Sequence, residues 1–173
     1  TLVEDAAESL GSFYKDKHTG TIGDFGAFSF NGNKIITTGG GGMVLCKTQE
    51  LGARTKHVTT TAKVPHPYEF FHDEPGFNYR MPNLNAALGC AQMEVIEQYL
   101  KQKRMLAEDY KNFFKGTDIK FVTEPEYAQS NYWLNAIICP DKESREEIIT
   151  TTNSLGVMTR PIWQLMHRFC LLY

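Results

Sequence analysis

The spacing of apolar positions divides the chain into a strand-rich first part, a long helical middle and a mixed final part. Thr1 to Asp5 is too short for a helix and runs from apolar residues into acid, as a central strand does at its carboxyl edge. Ala6 to Leu10 predicts a short helix or turn closed by Gly11. Lys15 to Gly20 is rich in turn residues and predicts an exposed hairpin tip or loop. Between Asp24 and Phe30, Phe25, Ala27 and Ser29 alternate with Gly26, Phe28 and Phe30, which predicts a strand apolar on both faces. Met43 to Cys46 reads as a further short strand and Thr48 to His57 as a helix. Val58 to Arg80 shows no regular period and contains Pro65, Pro67 and Pro75; irregular stretches of that length are functional or disordered.

Leu84, Leu88, Ala91, Val95, Tyr99, Leu106, Tyr110 and Phe113 then recur at helical spacing. They predict one long helix from Asn83 to about Phe114, with Pro82 at its start, where proline fits best. Beyond Gly116 the texture changes. Ile119 to Val122, Tyr132 to Cys139 and Val157 to Trp163 read as strands, and Ser144 to Leu155 as a helix capped by Ser144 and stopped by Gly156. That order suggests a small α+β domain.

The 173 residues are 42% hydrophobic and 22% charged, the composition of a folded globular chain. A formal charge of −2 provides no field for nucleic acid or an anionic membrane, and no apolar run approaches the roughly 20 residues of a membrane span. Cys46, Cys90, Cys139 and Cys170 form no CxxC pair, so reduced, mostly buried thiols of a cytoplasmic protein are expected. The chain begins without Met in what reads as a buried strand and stops at Phe169 to Tyr173 with no polar tail. It is therefore expected to be a segment of a longer protein.

The candidate chemistry centres on Lys34, a lone lysine in the loop after the Asp24–Phe30 run and 29 positions beyond Asp5. A reactive lysine, with a carboxylate able to keep a pyridine nitrogen protonated, is what a pyridoxal phosphate site needs. Each part also has a plainer reading. Asp5 could cap the next turn, Lys34 could be a solvated charge or the partner of Asp5 in a structural ion pair, and Ser29 could be a buried hydroxyl rather than a phosphate donor. Gly39 to Gly42 could offer N–H groups to an anion or form a tight turn, and no P-loop follows. His66 and His72 flank Glu69 but match no zinc spacing, so no metal is expected; His18 and His57 read as structural or solvent-facing. Asn78-Tyr79-Arg80 puts an amide and a guanidinium before the long helix, as helix entry or as an anion clasp.

Taken together, four segments resemble the DegT/StrS-type sugar aminotransferases: Val3 to Gly11 (VEDAAESLG), Gly23 to Phe30 (GDFGAFSF), Lys34 with Gly39 to Val44, and Gly76 to Arg80 (GFNYR) followed by Asn83 to Ala87 (NLNAA). Their order makes the match specific, and it runs over essentially the whole chain. Thr59 to Pro65 (TTTAKVP) and Thr159 to His167 (TRPIWQLMH) are most similar to the branch that aminates UDP-4-keto-6-deoxy-N-acetylhexosamine for bacillosamine, legionaminic acid and related bacterial surface glycans.

The resemblance implies an α/β fold, a portion of the aspartate-aminotransferase-type fold: residues 1–81 as part of the large cofactor-binding domain, 82–115 as a long connecting helix, and 116–173 as part of the small C-terminal α+β domain. It implies pyridoxal 5'-phosphate as cofactor. Asp5 would pair with the pyridine nitrogen, Glu8 (where the family often has Gln) would lie near the ring hydroxyl, Ser29 would bind the phosphate and Lys34 would form the Schiff base. Asn78 would reach the phosphate of the partner subunit's cofactor, implying a homodimer with shared sites, and Arg80 would lie near that shared site. The implied substrates are a nucleotide sugar and an amino-acid donor, glutamate first, with activity in the full-length dimer. A GDP-linked 4-keto-6-deoxymannose is the alternative substrate, and a regulatory aminotransferase-like domain the alternative class. Sugar dehydratases of this fold carry histidine in place of Lys34, so the lysine favours amino transfer.

Overall fold

The computed structural model describes residues 1–168. The chain divides into two compact units, one of Thr1–Tyr110 with Thr123–Asn135, the other of Lys111–Val122 with the segment from Ala136 onward.

The first unit is organised by strands β1 (Val3–Asp5), β4 (Phe25–Ser29) and β5 (Gly42–Cys46), in the order β1-β4-β5. β1 and β4 are parallel, with Asp5 opposite Ala27, whereas β5 is antiparallel to β4, with Gly42 opposite Ser29. Phe28 and Phe30 project into a core with Ala6 and Ile36, against which Leu10, Ile35, Met81 and Ile96 pack. On the other face of β4, Phe25 and Ser29 are half-buried and Ala27 is exposed, so the strand is apolar on both faces but fully buried on one. Gly26 is required where it stands, because a Cβ there would collide with the Gly20 carbonyl.

Strands β2 (Phe13–Tyr14) and β3 (Lys17–His18) form the expected hairpin, turning through Lys15 and Asp16 at φ 47° and 62°. A two-residue hairpin with both central residues left-handed matches the right-handed twist of its strands. Helix α1 (Gln49–Thr59) is capped by the Thr48 side chain, which accepts the Leu51 N–H at 3.3 Å. The irregular stretch after it contains a short ladder, β6 (Lys63–Val64) against β7 (Phe71–His72). It is tied back to α1 by a two-pronged Arg54–Glu74 ion pair and by His57–Asp73 at 2.7 Å.

The single long helix predicted from Asn83 is two helices, α2 (Asn83–Met93) and α3 (Ile96–Phe113). The break at Glu94–Val95 lets Ile96 reach the core around Phe28, a tertiary demand that a 3.6-residue period does not register. Strand β9 (Ala128–Gln129) adds to β2 and belongs to this unit.

In the second unit β8 (Lys120–Phe121) pairs antiparallel with β10 (Ile137–Ile138), leading to helix α4 (Lys142–Ser154). The helix cap is Asp141, not Ser144: the Asp141 carboxylate accepts the Ser144 N–H at 2.7 Å. No strand forms over 157–163, because α4 captures that segment instead. Val157 donates to the Thr152 carbonyl at 2.8 Å and Asn153 Nδ2 donates to the Thr159 carbonyl at 3.0 Å. Met166–Arg168 makes one 3₁₀ turn. Of the cysteines, Cys46 and Cys139 are half-buried and Cys90 is exposed, a more open set than expected; Cys170 and the terminus at 169–173 lie outside the described residues. No helix among the described residues is long and apolar enough to cross a membrane.

Candidate active site

Parallel strands converge their carboxyl ends, and loops leaving adjacent strands on that edge can meet. β1 ends at Asp5 and β4 at Ser29, and the segments that follow, 6–11 and 30–41, carry Glu8 and Lys34. The Lys34 loop is closed on itself. Phe30 donates to the Gly41 carbonyl at 2.9 Å, Thr38 to the Phe30 carbonyl at 3.0 Å, and Lys34 to the Asn31 carbonyl at 3.1 Å. Gly39 and Gly41 take φ of +79° and +110°, values open to glycine, and a Cβ on Gly42 would strike the Phe28 carbonyl. The glycine run is thus a tight return into β5. α2 and the loop are stitched together by Asn85, whose amide donates to the Thr38 carbonyl, and by Gln92, whose Oε1 accepts the Thr37 N–H at 2.9 Å.

Lys34 reaches from this loop to Glu8, with which it forms an ion pair, and only 12% of its side chain is exposed. Its ammonium also lies 4.5 Å from the centroid of the Trp133 ring. The structural ion pair with Asp5 does not form, because Glu8 takes the lysine. Asp5 is exposed; its Oδ1 accepts the Ala7 N–H at 3.2 Å, and its other oxygen has no hydrogen-bond partner among the described residues. Ser29 Oγ accepts the Asn31 N–H at 3.3 Å, which leaves its hydroxyl hydrogen available to an acceptor.

The neighbouring Glu4 holds β1 in place. Its carboxylate accepts N–H groups from Gly20 (2.7 Å), Ile22 (2.7 Å) and Gly23 (2.6 Å). Burial alone would raise this carboxyl's pKa, but the three donors outweigh it and hold it below the ordinary carboxylate value.

Asn78 and Arg80 stand apart from this cluster; no hydrogen bond or ion pair among the described residues joins them to Asp5, Glu8, Ser29 or Lys34. Asn78 bridges Thr60 across the irregular stretch. Arg80 lines an open cavity of about 450 Å³ with Thr60, Lys63, Pro65, His66 and Pro67. Both are exposed, beside exposed Phe77, Tyr79 and Leu84. His66 and His72 do not gather with Glu69. The one cluster of potential metal ligands among the described residues is His57, Asp73 and Glu74, already engaged by each other and by Arg54. The hydrogen bond from His57 holds the Asp73 carboxyl below its ordinary value.

Two residues with no sequence signal complete the cluster. Buried Asn131 donates through Nδ2 to the Glu8 and Leu10 carbonyls at 2.7 and 2.9 Å and accepts the Trp133 N–H at 2.9 Å. Trp133 donates its indole N–H to the carbonyl of Asn33, immediately before Lys34. Because Asn131 turns the backbone here, the strand expected over 132–139 is confined to β10.

The set fits pyridoxal phosphate. It offers a mostly covered lysine amine, an open carboxylate for a pyridinium and a free hydroxyl hydrogen for a phosphate, all at one sheet edge.

Comparison with known proteins agrees. Residues 1–171 match the DegT/DnrJ/EryC1/StrS aminotransferase family. EpsN of Bacillus subtilis, classed by its name among pyridoxal phosphate-dependent aminotransferases, is 39% identical over 96% of this chain and 43% of its own length. The GDP-perosamine synthase of Escherichia coli O157:H7 is 37% identical over 96% of this chain and 45% of its own length. A Campylobacter jejuni UDP-4-amino-4,6-dideoxy-N-acetyl-beta-L-altrosamine transaminase is 28% identical over 94% of this chain and 46% of its own. The chain therefore spans less than half the length of the curated relatives it matches. Its fold superposes on Spr1654 of Streptococcus pneumoniae in the PLP form with a TM-score of 0.90 at 23% identity, over 98% of this chain and 45% of the other. With nearly every residue matched and identities above 30% across almost its whole length, the chain belongs to the DegT/DnrJ/EryC1/StrS aminotransferase family, whose members use pyridoxal phosphate.

Proposed function

We propose that the protein transfers an amino group, from glutamate as donor, to the C4 ketone of a nucleotide-linked 4-keto-6-deoxy sugar, in the making of a bacterial surface glycan. The observation that carries this reading is the placement of Lys34 and two carboxylates, Asp5 and Glu8, at the carboxyl ends of adjacent parallel strands. When bound, pyridoxal phosphate supplies an electron sink that stabilises negative charge on the carbon losing its proton. Asp5 would hold the pyridine nitrogen protonated, Ser29 would donate to the phosphate, and Glu8 would lie near the ring hydroxyl. Lys34 would anchor the cofactor and then, once released, carry a proton as base and acid in turn. Glu8 gives that released amine an anionic partner, and the Asn31–Gly41 turn limits how far it can move.

Asn78 and Arg80 belong, in this reading, to the site of a second copy. Their exposure beside Phe77, Tyr79 and Leu84 supports it, since a polar pair within an apolar exposed surface suits a subunit contact. Within such a dimer, 1–81 would be part of the large domain, 82–115, with α2 and α3, the connecting segment, and 116–173 part of the small domain. Cys46, Cys90 and Cys139 are free thiols, which supports a cytoplasmic setting.

Relatives named for GDP-perosamine synthesis and for a UDP-linked amino sugar both support the sugar class, and the first favours GDP as a second reading for the nucleotide. The test is incubation of the full-length protein with pyridoxal phosphate, glutamate and either GDP- or UDP-linked 4-keto-6-deoxy sugar, with mass spectrometry of the products. Formation of 2-oxoglutarate together with one amino sugar supports the reading and names the nucleotide. Turnover of neither sugar refutes it.

A further inference from the structure

Trp133 is held at its backbone, at its indole N–H and at one ring face. Its N–H is held by Asn131 at 2.9 Å and its carbonyl by Lys103 Nζ at 3.1 Å. Its indole N–H is bonded to the Asn33 carbonyl, and its ring face lies 4.5 Å from the Lys34 ammonium. The strap that carries it is equally fixed. Asn131, at 4% exposure, has its side-chain amide on the Glu8 and Leu10 carbonyls and its N–H on Ser12 Oγ at 3.0 Å. Arg104 pairs with Glu124 and donates to the Ser130 carbonyl. One short segment therefore grips both halves of the Lys34–Glu8 pair, the lysine through Trp133 and the turn carrying Glu8 through Asn131.

We propose that Trp133, anchored by Asn131, is a positioning residue for Lys34: its ring face and indole N–H keep the free lysine amine against Glu8, covered from water and aimed at one place. This rests on the reading of Lys34 as the reactive lysine. A cation over an indole face is favoured electrostatically by the ring quadrupole, and tryptophan is the best of the aromatic rings for it. The indole N–H adds what phenylalanine lacks, a tie on the peptide group just before the lysine. An amine that must leave the cofactor and return to it gains from a fixed resting place, because orientation is set before each return.

The test uses the protein without cofactor, trace-acetylated with acetic anhydride, with Lys34 read by peptide mass spectrometry against Lys47, an exposed internal standard. Trp133→Leu is expected to raise Lys34 acetylation by about 2- to 30-fold, the span that cation–π contacts cover from exposed to desolvated sites. Trp133→Phe, which keeps a ring face, is expected to recover most of the protection, and Lys47 stays unchanged in both. Borohydride trapping with pyridoxal phosphate follows, and slower capture in Trp133→Leu, largely restored in Trp133→Phe, is expected.

Should the leucine variant not fold, a second measurement stands alone. In a Trp163→Phe background, where Trp133 is the remaining tryptophan of these 173 residues, Lys34→Met should change its emission with no cofactor present. Unchanged Lys34 reactivity in Trp133→Leu, an equal rise at every lysine, or unchanged emission in Lys34→Met would overturn the assignment. Absence of any trapped adduct in the full-length wild-type protein would instead overturn the aminotransferase reading, so the two failures are distinct.

Discussion

Replacing Glu4 with alanine removes an acceptor that three backbone N–H groups share, those of Gly20, Ile22 and Gly23. Gly20 and Gly23 are buried, so water cannot readily replace the carboxylate there, whereas Ile22 is exposed. A stranded buried donor costs about 1–3 kcal/mol, so two of them give a loss of about 2–6 kcal/mol in unfolding free energy. Glu4→Gln keeps one oxygen for Ile22 and Gly23 but turns an NH₂ toward the Gly20 N–H, at a cost of about 1–3 kcal/mol. The assay is urea unfolding of the two variants and the wild type across pH. Because the folded state holds the Glu4 carboxyl below its ordinary 4.5, its stabilisation is complete above that value and fades as pH falls through the lower folded-state value. The gap between wild type and Glu4→Ala should therefore be widest near neutrality and narrow below 4.5. A gap under about 0.5 kcal/mol at neutral pH, the range of indifferent surface changes, would refute this reasoning. So would a gap that does not change on acidification.

Gly26→Ala drives a Cβ into the Gly20 carbonyl and should destabilise by about 1–3 kcal/mol or more; thermal unfolding of the soluble fraction checks it. Arg104→Met removes a half-buried, two-pronged partner of Glu124 and a donor to the Ser130 carbonyl. It should cost about 1–3 kcal/mol in urea unfolding, more than an exposed ion pair is worth. Asp141→Ala should speed amide hydrogen exchange at Ser144 while leaving the middle of α4 unchanged. The Ser144 N–H also holds the Asp141 carboxyl below its ordinary 3.8, so in the wild type the same fraying should set in only as pH falls below that value.

Sequence pattern was informative where local chemistry decides structure. The apolar run before Lys34, the turn residues at Lys15 and Asp16, and the acid at the end of β1 each carry their own instructions, and β4, the β2–β3 hairpin and the Asp5 position follow from them. Patterns failed where distant contacts decide. The break at Glu94–Val95 answers to a core that Ile96 must reach, and the segment after Gly156 is claimed by Thr152 and Asn153 before it can pair as a strand. Lys34 was legible as the reactive candidate, but its partner was not. Asp5 and Glu8 are equally acidic on paper, and only the folded loops after β1 and β4 show that the lysine meets Glu8. Trp133 and Asn131 were invisible for the same reason, since the indole donor and its acceptor at Asn33 are 100 residues apart.

Borohydride reduction of the full-length protein with pyridoxal phosphate, followed by peptide mass mapping, should place a pyridoxyl group on Lys34 and leave Lys34→Ala unlabelled. A folded protein that yields no adduct at Lys34, or carries it equally on surface lysines such as Lys47, would contradict the assignment of this sheet edge as the cofactor site.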